Sequence, residues 1–76
     1  MSEKEWIDIF GDNLADMLFD ARMTQRELAD AVGVSESTIS DYINKRSAPK
    51  VRVIVNIAHA MSCGVDELMD FEEMIE

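Results

Sequence analysis

Between Thr24 and Ile43 the chain reads TQRELADAVGVSESTISDYI, and this stretch restricts the fold more than anything around it. Thr24 and Glu27 have capping-box spacing, in which the Thr oxygen accepts a backbone N–H and the Glu carboxylate reaches back. Leu28, Ala29 and Val32 then fall on one face of a short helix. Gly33 can adopt the left-handed conformation that ends a helix, and Ser35 can cap the next one. That second helix turns Ile39, Tyr42 and Ile43 inward and leaves Glu36, Ser37, Thr38, Ser40 and Asp41 with polar tips outward. Two short helices joined by a tight turn, the second carrying short polar side chains over a buried stripe, form the unit that enters a DNA major groove.

The same residues resemble the repressor/Cro (XRE) type of helix-turn-helix regulator. The marks run in order: Thr24-Gln25, Glu27-Leu28-Ala29, Gly33-Val34-Ser35, Thr38-Ile39-Ser40, Pro49, Ile57-Ala58 and Asp66-Glu67-Leu68. Any one tripeptide is weak, but the ordered set spans most of the chain, from about Phe10 to about Met69. The resemblance implies an all-α, compact bundle of five helices, the second and third forming the DNA-reading unit. It places residues 1–76 in one domain, with a family-like core over about 10–69 and a C-terminal extension over 70–76.

Length and composition agree. Seventy-six residues suit one small domain that needs neither disulfide nor metal to fold. With 47% hydrophobic and 30% charged residues the chain has the composition of a globular protein rather than a disordered one. There is no apolar run of membrane-spanning length, the N-terminus MSEKEW lacks the basic start of a signal peptide, and the single Cys63 cannot make an internal disulfide. These features point to a cytoplasmic protein with no membrane partner. The length also leaves no room for an effector-sensing half, so the expectation is a small Cro-like regulator.

Charge is the feature that runs against the reading. The net charge is −9, opposite to the usual sign for DNA binding. Its distribution is uneven, however. Residues 22–52 hold six of the seven basic side chains (Arg22, Arg26, Lys45, Arg46, Lys50, Arg52) and four acids, a local balance of +2. The remainder carries Lys4 and twelve acids, a balance of −11. Such polarity can orient a protein toward a polyanion, while the net charge slows approach and weakens non-specific binding.

Outside the central unit, Ser2 and Glu5 again have capping-box spacing and open a helix to about Ala21. Ile7, Phe10, Leu14, Met17, Leu18 and Ala21 make its apolar stripe, broadened by Trp6, Ile9 and Phe19. Arg22 stands where the family often has a helix-ending Gly and has to accept a left-handed conformation. Helix four is expected from about Lys50 to Met61, with Val51, Ile54, Ile57, Ala58 and Met61 inward. A turn at Ser62-Cys63-Gly64 leads to a last helix from Val65, with Asp66 and Glu67 near the positive dipole end. In the tail DFEEMIE, Phe71, Met74 and Ile75 continue an apolar spacing and are candidate homodimer contacts, with self-packing or fraying as the alternative.

The resemblance assigns roles residue by residue. Gln25, first in helix two, matches a position that hydrogen-bonds a DNA phosphate, where free N–H groups and the helix dipole attract an anion. Arg26 can reach the next phosphate. Glu36, Ser37, Thr38 and Asp41 match the base-reading positions, with the carboxylates suited to the exocyclic amine of cytosine. Glu36 has an equally good reading as a first-turn acid stabilised by the dipole. Two acids here depart from the usual Gln, Asn, Arg or Lys. Lys45, Arg46 and Lys50 are phosphate candidates, with Lys45 standing where the family usually has Gly, after the helix-ending Asn44. His59 and Cys63 lie four apart, but two ligands do not make a metal site. No Gly-rich phosphate loop or nucleophile–base pair suggests catalysis, so neither enzyme activity nor a cofactor is expected.

Two functions follow from these residues. The first is a sequence-specific regulator binding double-stranded DNA as a homodimer. The second is an acidic protein-interaction module on the same fold (an antitoxin, anti-repressor or adaptor) with a regulatory protein partner and little DNA binding.

Overall fold

A computed structural model of the chain describes residues 2–69. Helix starts in this chain are written by short polar side chains, and the structure uses them. Ser2, Thr24 and Ser35, each in extended backbone, accept the N–H of Glu5, Glu27 and Thr38 and open α1 (Glu3–Ala21), α2 (Gln25–Val32) and α3 (Glu36–Ile43). At Thr24 the capping box is complete, with both reciprocal bonds at 3.0 Å. At Ser2 only half of it forms. The Glu5 carboxylate takes the Ser2 hydroxyl at 3.1 Å instead of the backbone N–H. Two further helices, α4 (Val51–Ala60) and α5 (Val65–Met69), follow Pro49 and the Ser62–Gly64 turn. Lys50, which precedes α4, gives no side-chain cap.

The ends of α1 to α4 share one device. The residue after each helix is left-handed or passes directly to one that is, and its following N–H folds back onto a carbonyl four or five residues upstream. The left-handed positions are Arg22, Gly33, Lys45 and Ser62, at φ of 55°, 85°, 63° and 55°. Only one of these is glycine. The other three carry a Cβ into a region that costs an L-residue roughly 1–2 kcal/mol. Arg22 thus behaves as its position demands.

The five helices close around Phe10, Leu14, Leu18, Leu28, Ala29, Ile39, Tyr42, Ile54, Ile57, Ala58, Leu68 and Met69, all buried. Phe10 sits at the centre of an aromatic chain, edge-on to Trp6 at 6.4 Å and to Tyr42 at 6.1 Å. Helix α3 packs on α1 and α2, α4 on α2, and α5 on α1 and α4. The radius of gyration, 11.4 Å, is what a compact body of this length has. Among the described residues there is no strand, and no helix is long and apolar enough to cross a membrane.

Three apolar side chains depart from the periodic pattern. Phe19 and Ala21 do not extend the α1 stripe inward: Phe19 is 83% exposed and Ala21 lies in solvent. Phe19 follows Phe10 by two and a half turns and so lies on the opposite side of α1 from the buried row, while Ala21 is on the buried side but is the helix's last residue. Val51, expected inward, is 77% exposed. As the first residue of α4 it precedes the buried row Ile54, Ile57 and Ala58, and with Trp6, Val55, Val65 and Met69 it lines an open apolar groove of about 410 Å³. One tie in the core is polar. The Asn13 amide donates to the Leu68 carbonyl at 2.7 Å, fastening α5 to α1.

Candidate nucleic-acid interface

Helix α2 ends at Gly33, whose N–H reaches the Ala29 carbonyl at 2.8 Å; the Val34 N–H shares that oxygen at 3.0 Å. Nothing lies within 4 Å of the Cβ position of Gly33. Its φ of 85°, not crowding, is the reason for glycine here. The turn brings Ser35 to the head of α3. Its hydroxyl receives the Thr38 N–H at 3.2 Å and sits 2.8 Å from the Thr38 hydroxyl and 3.1 Å from that of Ser37.

This local network decides what the head of α3 can present. Glu36 and Ser37 are exposed and Thr38 is half-buried. A hydroxyl has one proton and two lone pairs, so Ser37 and Thr38 keep bonding capacity beyond Ser35. Capping consumes the Thr38 N–H, while the N–H groups of Glu36 and Ser37 are first-turn donors without an intrahelical acceptor. The head of α2 is arranged likewise. Its capping box occupies the N–H groups of Thr24 and Glu27, leaving Gln25 and Arg26 as the donors without an intrahelical acceptor. Both bonds to Thr24 hold the Glu27 carboxyl below its usual range, backbone first and hydroxyl second.

At the other end of α3 the geometry is different. Asn44 closes the helix with its amide on the Ser40 carbonyl at 2.9 Å, and Lys45 takes the left-handed turn. The Lys45 ammonium lands 2.8 Å from the Asp12 carboxylate of α1. Arg46 lies 3.6 Å from Asp41, a looser pair between exposed groups. The hydrogen bond to Asp12 raises the Lys45 pKa, partly opposed by desolvation and supported by the charges of Asp12 and Asp8. Tyr42, in the last turn of the same helix, has its phenol pKa pushed up, first by burial and then by Asp41.

Gly11 makes this approach possible. A Cβ built there would stand 2.7 Å from the Tyr42 carbonyl oxygen and 3.2 Å from both the Ile43 oxygen and the Lys45 Cγ. Helix α1 therefore lies against the end of α3 at a distance that only a residue without a side chain permits. Gly11 and Asp12 were not singled out by motif or resemblance. The one signal available was a glycine in the interior of an otherwise strong helical stripe, which usually marks a close contact.

Of the residues expected to touch DNA, the fold groups Gln25, Arg26, Glu36, Ser37 and Thr38 at the heads of α2 and α3. Lys45 and Arg46 stand at the foot of α3, each opposite a carboxylate, and Asp41 faces Arg46. Lys50 is exposed at the start of α4. Phe71, Met74 and Ile75 lie outside the described residues, as does the whole extension from residue 70. His59 is exposed, and the Cys63 thiol pKa is pushed up, first by burial and then by the charges of Glu67 and Asp66.

Comparison with known proteins adds a family and two solved structures. A family model described as helix-turn-helix matches residues 20–68. The crystal structure of the clp gene regulator ClgR from C. glutamicum is similar at 25% identity and a TM-score of 0.80, over 93% of this chain and 94% of that one. The hypothetical transcription factor NHTF from Neisseria has the same fold, with 16% identity and a TM-score of 0.82 over 100% of this chain and 92% of that one. No curated protein sequence matches.

Proposed function

Since the chain belongs to the helix-turn-helix family, in its repressor/Cro (XRE) branch, we propose that it is a sequence-specific transcriptional regulator that binds double-stranded DNA. The observation that carries this reading is the doubly capped α2–α3 unit. Both helix heads are fixed by their own Thr or Ser, and both leave two first-turn N–H donors beside polar side chains, half-buried at Gln25 and exposed at Arg26, Glu36 and Ser37. In the reading proposed here, Gln25 and Arg26 grip phosphate while Glu36, Ser37 and Thr38 meet base edges, with Asp41 further along the groove. Lys45, Arg46 and Lys50 add backbone contacts. The protein acts in the cytoplasm as a homodimer on a two-fold related site, with half-sites about one helical turn apart. The regulatory role printed for ClgR agrees with this.

Binding selection from a random duplex pool at low salt tests the proposal. The expected result is a palindromic site that the Lys45→Glu/Arg46→Glu variant does not retain. With roughly four phosphates neutralised per protomer, log affinity should fall with log salt at a slope of about −7. No enrichment by folded protein, or a slope near zero, refutes groove binding. A second reading has a specific observation behind it. Lys45 and Arg46 already have carboxylate partners in a chain of charge −9, which suits a protein-interaction module with little DNA affinity. A protein partner held through the acidic surface would tolerate the double Glu variant, whereas a DNA complex would not.

A further inference from the structure

We propose that Asp12, on a helix that contributes no reading residue, sets the strength of DNA binding by holding Lys45 against the body of the protein. The inference rests on the DNA-binding reading above. It starts from three separate features that converge on one side chain. The left-handed backbone of Lys45, φ 63°, fixes the direction in which the chain leaves α3. Gly11 lets α1 come close enough that the Lys45 stem passes over it, with Cγ 3.2 Å from where a Cβ of residue 11 would be. The ammonium then meets Asp12 at 2.8 Å, and Asp8, one turn earlier on α1, adds its field.

A phosphate oxygen and a carboxylate oxygen compete for the same ammonium protons. Lys45 can grip the DNA backbone only by leaving Asp12 or by sharing it, and the released carboxylate then faces the phosphates. Both effects oppose binding. Asp12 is 68% exposed and the Lys45 side chain 37%, so the pair is a surface one and its grip is modest. An exposed ion pair of this kind corresponds to about a two- to fivefold change in an equilibrium constant.

The test is a mutant cycle read by fluorescence anisotropy on the selected duplex, or on a generic duplex at low salt, using the full chain. Asp12→Asn should tighten binding about two- to fivefold. In a Lys45→Gln background the Asp12→Asn gain should vanish, because the carboxylate acts through Lys45. Thermal melts keep folding out of the comparison. Wild-type binding with no gain from Asp12→Asn overturns the proposal and leaves the DNA reading standing. A gain that persists without Lys45 also overturns it, since Asp12 would then act only as bulk negative charge. Binding gained by Asp12→Asn where the wild type has none supports the proposal and refutes the wild type as a DNA binder. No duplex binding by any variant overturns both.

Discussion

The head of α3 is held by its own neighbours in sequence, and its foot is held by a helix from the other end of the domain. Ser35 caps the head, three residues before the N–H it receives, and Ser37 and Thr38 join the same hydroxyl network. The foot has a left-handed lysine, a glycine of α1 against its last carbonyls, and a carboxylate of α1 on its cation. The head can thus vary its side chains without disturbing the core, which suits a surface that has to read different bases. The foot is coupled to packing. A substitution there changes stability and charge together.

The largest expected effect comes from breaking the close approach at the foot. Gly11→Val puts a branched side chain where even a Cβ would stand 2.7 Å from the Tyr42 oxygen. Overpacking of this kind costs about 1–3 kcal/mol. Chemical denaturation should show the loss, and the same substitution at Gly33 should differ in cause, since that site is open but left-handed. A Gly11→Val protein as stable as wild type would mean that α1 and α3 do not meet closely.

At the head, removing the local caps should cost less. Ser35→Ala deletes the acceptor of the Thr38 N–H, a loss of about 1 kcal/mol, and Thr24→Ala deletes the acceptor of the Glu27 N–H for a similar amount while keeping the backbone N–H that the Glu27 carboxylate accepts. Urea titration measures both. These effects should add with Gly11→Val if head and foot are independent, and a large coupling would break the contrast between them.

Lys45→Gly sharpens the comparison because it separates the two roles of the foot. Glycine relieves a left-handed backbone, worth roughly 1 kcal/mol, but removes the cation and its bond to Asp12. Thermal stability should hold or rise while affinity for duplex DNA falls. Arg22→Gly is the control, giving the same backbone relief outside the proposed interface. If Lys45→Gly lost no affinity, the foot would have no backbone contact to lose.

The smallest effect is a titration. Glu27 has a depressed carboxyl pKa, so its contribution to stability is fully present above the ordinary carboxylate value and is lost as pH falls through the depressed one. Glu27→Gln should flatten that part of the acid limb of stability. The increment missing at neutral pH should be the same small one, since the ionised carboxylate contributes in full there. An unchanged acid limb would mean that the box at Thr24 does not hold the ionised form.

What was legible in the sequence follows the same division. Caps, helix ends and the inward faces of α2 and α3 are written within three or four residues of where they act, so Thr24, Gly33 and Ser35 could be read directly, while the left-handed Arg22 followed from the family resemblance. Asp12–Lys45, the Gly11 contact and the Asn13–Leu68 bond join residues far apart in the chain, and no local period encodes such pairings. Phe19 lies on the side of α1 opposite Phe10, and helical spacing alone excludes it from the stripe; Val51 failed for a reason related to the long-range pairings. A helical stripe says which residues share a face, but where the neighbouring helix stops covering that face is decided by the tertiary packing. The local charge balance was also only half informative, because counting cations does not show which of them already face a carboxylate.

The central claim is that the heads of α2 and α3 and the foot of α3 form one DNA-binding face. Amide chemical shifts of the isotope-labelled chain, followed as a duplex is added at low salt, test it most directly. The account predicts that shifts concentrate at Gln25 and Arg26, at Ser35 through Asp41, and at Lys45 and Arg46. Perturbation confined to α4, α5 or the N-terminal turns of α1, with these residues silent, would contradict it.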